Sequence, residues 1–340
     1  MSAGPSQRKR KAGGSKNSED AHLTFKTPAE IDRALAVGGN VDGVVKALSS
    51  IRWQFQHTGA HQIILNQWLK STSAEALSNL WEQLESEGAY GKVLSMIISL
   101  LCIILRHHYA SSDGDNRLAR TLLSPERVAK LNVYLAGRNL NRNGLNTQNA
   151  TLTVETLNLL AALAAWDPKT VLESLRWDME SFSRILRGSR NRKDGKGKGD
   201  EKSKHRYHAE SRSRASLLSL VTAMLSENVS ARVKSAFLAP GTPTLSLLQN
   251  ILSGVGDSYD EDYHAYSYPQ IKNLLETLYA GVWCDKRVTK SVKVNIFTFG
   301  SSHRTGMRTE GVRDVKRAGE RVWKGVSYHR TFIHEQNGNQ

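Results

Sequence analysis

The 340-residue chain (37.8 kDa) carries 47 Lys and Arg against 32 Asp and Glu, a formal charge of +15. Its two cysteines, Cys102 and Cys284, each inside an apolar stretch, exclude a disulfide framework and a cysteine-built zinc site. The longest apolar run, 93–105, falls short of the ~20 residues of a membrane helix and holds two serines, so it reads as a buried helix of a soluble protein. Basic residues near the start are followed by no apolar segment, which argues against a secretory signal and for a reducing compartment.

The charge is unevenly spread. Residues 1–20 carry net +3, 187–214 net +7 and 300–340 net +4, which together nearly equal the whole-chain +15. The blocks between them are close to neutral. A chain of this balance suggests an acidic partner, most often nucleic acid, met by basic appendages rather than by the body.

In chain order, 1–28 reads as a disordered basic arm, poor in residues to bury. Within it Arg8, Lys9, Arg10 and Lys11 form a candidate nuclear localisation signal. Residues 29–186 read as a first helical half. Val41, Val44, Val45, Leu48, Ile51 and Phe55 follow helical spacing. Ile63, Ile64, Gln67 and Trp68 start a short helix, and Ser73 caps another through Leu77, Leu80, Trp81 and Leu84. The run 93–105 is apolar nearly all round and marks a central helix. Ser124-Pro125-Glu126 has the order cap, proline, acid that opens a helix. Residues 137–149, rich in Asn, read as a loop before a strong helix over 151–166. Asp167-Pro168 ends that helix and starts the next, and 182–186 closes the half.

Residues 187–214 read as a flexible basic insertion. The second helical half spans 215–299, with helices over 215–225, 233–238, 245–252 and 271–283. A break lies at Pro240–Pro243, and 287–299 is favoured as helix. Phe237 and Trp283 sit in apolar stripes and are expected in the core. Residues 300–340 read as a poorly structured basic tail. No hairpin or strand–helix alternation occurs. The expected fold is all-α, an irregular HEAT- or armadillo-like solenoid with disordered basic termini and a basic internal loop. That body should fold without 1–22 and with 190–208 trimmed.

Few constellations carry chemistry. Gly195-Lys196-Gly197-Lys198-Gly199 lacks the strand, Ser/Thr and helix of a phosphate loop. His107 and His108 end the central helix, where cations suit the helix dipole; adjacent helical residues diverge too far to share a metal. The acids at 257–262 lack a calcium-loop register. No nucleophilic triad or paired carboxylates can be assembled, so neither an enzyme nor a cofactor or metal is expected. The insertion is the most specific feature. Arg187, Arg190, Arg192, Lys193, Lys196, Lys198, Lys202, Lys204 and Arg206, spaced by glycines, can follow a phosphate backbone without reading sequence.

Several stretches resemble the N-terminal domain of the nucleolar pre-ribosomal-associated protein family. They are Leu105-Arg106-His107-His108-Tyr109, Arg120-Thr121-Leu122-Leu123-Ser124-Pro125 and Lys130-Leu131-Asn132-Val133-Tyr134-Leu135 in the first half. In the second half they are Val233-Lys234-Ser235-Ala236-Phe237-Leu238 and the run from Gly281 to Lys293. The resemblance covers about 40–299. It implies a nuclear, nucleolar scaffold of large (60S) subunit assembly and rRNA processing. Its implied partners are pre-ribosomal RNA and assembly factors including a DEAD-box helicase, with no membrane. The alternative is a nuclear helical-repeat adaptor or transport protein that binds peptides. An inner ladder of Asn and Trp would mark that class, and none is seen.

Overall fold

The computed structural model describes residues 23–36, 41–56, 60–71, 75–86, 91–110, 117–136, 147–187, 201–257 and 270–296. Every regular element among them is a helix. The chain divides into two units, Met1–Lys70 and Ser71–Gln340.

The first unit contains α1 (Pro28–Leu35), α2 (Val41–Gln56) and α3 (Ala60–Ser71). Thr27 caps α1: its hydroxyl accepts from the Glu30 N–H at 3.4 Å, and Pro28 opens the first turn. The Glu30 carboxylate reaches back to the Lys26 N–H at 2.8 Å. The basic arm is shorter than 1–28. The Leu23 N–H donates to Ser50 Oγ at 2.9 Å, Gln54 Nε2 donates to the Leu23 carbonyl at 2.8 Å, and Phe25 is buried. Side chains of α2 thus supply backbone partners that apolar periodicity does not reveal. Trp68 is wholly buried, and its indole N–H donates to Asp32 Oδ1 at 2.8 Å, tying α3 to α1.

The second unit continues with α4 (Glu75–Ser86), α5 (Gly91–Ala110), α6 (Arg117–Leu122), α7 (Pro125–Ala136), α8 (Thr147–Trp166), α9 (Pro168–Ser174) and α10 (Met179–Arg187). Then come α11 (Glu201–Leu225), α12 (Ala231–Phe237), α13 (Pro243–Asp257), α14 (270–277), which runs into a π-helical turn (Leu278–Trp283), and α15 (Lys290–Asn295). Its axis is α8, which packs on α5 along one side and α11 along another. Leu157, Leu159, Leu160 and Leu163 are buried, and Ala161, Ala162 and Ala164 let neighbouring backbones approach. Each such leucine contributes roughly 1.5–3 kcal/mol relative to exposure. The helix starts at Thr147, inside the expected loop.

Among the described residues α5 is the one helix long and apolar enough to cross a membrane, over Val93–Ala110. Ile97, Ile98, Leu101, Ile104 and Leu105 are buried in the unit, so the sequence reading of a core helix holds. Asp167 caps α9, its Oδ1 accepting from the Thr170 N–H at 3.0 Å, as the Asp-Pro pair implied. Gly241, at φ +78°, makes the turn between the two prolines, and Thr242 Oγ1 accepts from the Leu245 N–H at 3.2 Å.

Three expectations are corrected. Residues 201–214, assigned to the flexible insertion, are the first half of α11, with Ser211, Ser213 and Arg214 buried. This stretch holds no Gly or Pro, whereas Gly188, Gly195, Gly197 and Gly199 punctuate the residues before it. Helix over 287–299 shrinks to Lys290–Asn295 within the described residues. Phe237 is buried against Trp177, ring centroids 5.4 Å apart, but Trp283 is 46 % exposed, because the π-helical turn buries Gly281 and Val282 instead.

Candidate nucleic-acid interface

The expected phosphate-binding residues divide between settings. Arg187 is the last residue of α10, and Lys202, Lys204 and Arg206 lie in the first two turns of α11. Arg190, Arg192, Lys193, Lys196 and Lys198 lie outside the described residues, as do Arg8, Lys9, Arg10 and Lys11. Three of the nine therefore belong to α11 and a fourth, Arg187, to α10, rather than to a free chain.

Downstream, a second basic cluster is built into the fold. Lys234 on α12 is wholly buried. Its ammonium donates to the Gly281 carbonyl at 2.6 Å and to Asp285 Oδ2 at 3.2 Å. A buried ammonium needs such partners, since an unpaired buried charge is strongly disfavoured. Asp285 also accepts two bonds from the Arg287 guanidinium, at 2.9 and 3.0 Å. Arg287 first, and Lys234 with it, hold the Asp285 carboxyl well below the usual carboxylate range. Lys293 completes the knot, donating to the carbonyls of Trp283 and Asp285 at 2.8 and 2.9 Å.

Gly281 makes this geometry possible. A Cβ there would lie 2.3 Å from the Leu225 carbonyl oxygen, so only glycine lets the π-turn rest on the end of α11. The turn is closed by the Cys284 N–H donating to the Tyr279 carbonyl at 2.8 Å, five residues back. Outside it stand Tyr279, 44 % exposed, and Trp283. The Tyr279 phenol is hydrogen-bonded to Cys284, which raises its pKa. Lys286, Arg287 and Lys290 follow at the surface.

Further junctions are locked in and around the other resemblance stretches. Arg127, buried, lies over the Trp81 ring at 4.7 Å and donates to Ser78 Oγ at 2.9 Å and Glu82 at 2.5 Å. The Trp81 indole donates to the Tyr134 hydroxyl at 3.0 Å, so α4 and α7 are joined twice. Asn132 accepts from the Arg176 N–H at 2.9 Å and donates to the Ser174 carbonyl at 3.3 Å, fixing the end of α9. Tyr109 packs edge-on against Trp166 at 5.5 Å, beside an open cleft of about 350 Å³ lined by Arg120, Leu123 and Asp167. His107 and His108 occupy the last turn of α5, as expected.

Burial pushes the Cys102 thiol up to about 11, which keeps it protonated and a poor nucleophile. Among the described residues no three His, Cys, Asp or Glu side chains gather to hold a metal ion. The arrangement is one of helix junctions locked by buried polar groups, with cations on its edges.

These features define a basic all-α protein. The family model described as ribosome 60S biogenesis N-terminal (Npa1) matches residues 74–301, about two thirds of the chain, and the chain belongs to that family. The match starts just inside the second unit and contains every stretch that carried the resemblance; residues 40–73 lie outside it. No curated protein and no solved structure matches the chain.

Proposed function

We propose that the chain is a non-enzymatic scaffold in nucleolar assembly of the large ribosomal subunit, holding pre-ribosomal RNA and assembly factors. The observation that carries this reading is the family match over 74–301, in a family of 60S biogenesis. The charge distribution supports RNA as one partner: residues 187–214, which run from the end of α10 into the first half of α11, add +7 between two nearly neutral blocks. The use of buried ionic groups as junction locks suits a rigid binding scaffold. In this reading the second unit is an irregular helical array of the HEAT or armadillo kind. Its edges present binding surfaces, and Arg8–Lys11 directs nuclear import. A DEAD-box helicase is among the protein partners proposed.

The test is co-purification of the tagged chain from nuclear extract, with RNA sequencing and mass spectrometry of what accompanies it. Pre-ribosomal RNA and large-subunit assembly factors are the expected companions. Enrichment of transport cargoes without rRNA would instead support an adaptor. The insertion is tested by replacing the nine candidate cations, Arg187 to Arg206, with Ser. If it engages about five phosphates of a single strand, the log–log salt slope of RNA binding is near −3.5 and flattens in that variant.

A further inference from the structure

We propose that the surface of the π-turn, formed by Tyr279, Trp283, Lys286 and Lys290, is a stacking platform for single-stranded RNA. The proposal deepens the RNA-scaffold reading and rests on it. It assigns a place on the folded body in addition to the insertion.

Two independent features converge there. The first is aromatic exposure. Trp283 and Tyr279 are 46 % and 44 % exposed. They lie four positions apart in a helix of i→i+5 bonding, a spacing that keeps both on one side while Gly281 and Val282 face inward. A core-sized aromatic held at the surface by a glycine contact offers a π-face to a base. Stacking of this kind accepts any base.

The second is charge. From Cys284 to Asn295 the chain holds four cations, Lys286, Arg287, Lys290 and Lys293, and one acid, Asp285. That acid is taken up by Lys234 and Arg287. Lys293 is spent on two carbonyls, which fix the Trp283 backbone. Lys286 and Lys290 are exposed. Glu276 and Glu227 are exposed acids on the packed elements, and Lys272 and Arg232 are exposed cations there, so with Lys286 and Lys290 the exposed cations outnumber the acids. Positive charge within a few positions of two exposed aromatic rings suits a strand whose phosphates alternate with unstacked bases. An acidic peptide would match the charge but leave the two rings without a stacking role.

The rigidity is supplied from below. The Lys234–Asp285 pair and the Gly281–Leu225 contact hold the turn without contributing to its outer surface. The platform can therefore be altered without touching its support.

The experiment is fluorescence anisotropy of the full chain with a labelled 12-nucleotide oligouridylate, a 12-base-pair RNA duplex and a polyglutamate peptide. The variants are W283A, W283F and K286S/K290S, each checked for an unchanged melting curve. W283A should bind oligouridylate roughly tenfold more weakly, the W283F ring should restore most of that loss, and duplex affinity should stay within about twofold. K286S/K290S should flatten the salt slope by about 1.4. If the parent binds oligouridylate and W283A binds it equally well, the platform is overturned while RNA binding by the chain stands. If the parent binds no RNA at all, both readings fall. Loss of polyglutamate binding in these variants, with RNA binding intact, would reassign the surface to an acidic peptide.

Discussion

The Lys234 ammonium and the Asp285 carboxylate meet at 3.2 Å from positions 51 apart in sequence, and the lysine is wholly buried. The pair joins α12 to the segment after the π-turn, two stretches that resembled the family independently. Replacing Lys234 by Met keeps most of the volume but leaves the Gly281 carbonyl without this donor. Removing one partner of a buried ion pair is strongly destabilising, so K234M should lose about 3 kcal/mol in urea unfolding. A midpoint equal to the parent's would show that the pair contributes nothing net.

Gly281 offers a second handle on the same junction. Its missing Cβ would stand 2.3 Å from a backbone oxygen, which cannot rotate aside as a side chain can. G281A should therefore cost roughly 1–3 kcal/mol through a forced backbone shift. An unchanged melting temperature would mean that α11 and the π-turn can separate freely.

Asp285 also makes stability depend on pH. Its carboxyl sits below the usual range because Arg287, and then Lys234, hydrogen-bond the charged form. The unfolded chain thus binds more protons in acid. The contribution is complete above the unfolded value of about 3.9 and disappears as pH falls from there toward the folded value. Asp178, lowered first by its bond from Ser181, acts in the same direction. Urea midpoints measured from pH 7 to 3 should fall more steeply for the parent than for D285N; identical slopes would remove Asp285 from the acid response.

The two thiols should behave differently. Cys284 is exposed, whereas Cys102 is buried and pushed up to about 11. A maleimide at neutral pH should label one cysteine per native chain and two after denaturation. Labelling of both at equal rates would show that α5 opens readily.

The revised start of α11 separates two deletions. Removing 189–199 shortens a connection, which costs little because loop closure depends weakly on length. Removing 201–214 takes away the buried Ser211, Ser213 and Arg214 and should broaden or abolish the cooperative melt. If both deletions melt like the parent, the first half of α11 is not part of the packed unit.

Much of this architecture was legible as periodicity and punctuation. The buried α5 and the proline-led starts of α7 and α9 follow from apolar runs and from Ser-Pro and Asp-Pro order. What remained hidden depends on contacts between distant residues. Nothing in the sequence pairs Lys234 with Asp285, which the fold brings to it from 51 positions away. Trp283 reads as core because bulk and stripe say so, and only the extra residue of a π-turn carries it outward. The start of α11 lacks an apolar stripe altogether, so its composition resembled that of the glycine-punctuated residues before it. Leu23 is held by side chains from 27 and 31 positions away, which no local pattern encodes. The resemblance pointed to the right region, and within its stretches Asn132, Tyr134 and Lys234 make contacts that join distant helices.

The membrane-like character of α5 bears on how the chain is made. Val93–Ala110 has a mean hydropathy of 1.7 and leaves the ribosome before its packing partner α8, at 147–166, has been synthesised. For that interval the nascent chain presents an apolar helix whose face toward α8 is uncovered, although its smaller contact with α4 is already available. A product terminated between the two would carry the same exposed surface permanently, a target for chaperone retention or aggregation rather than for assembly.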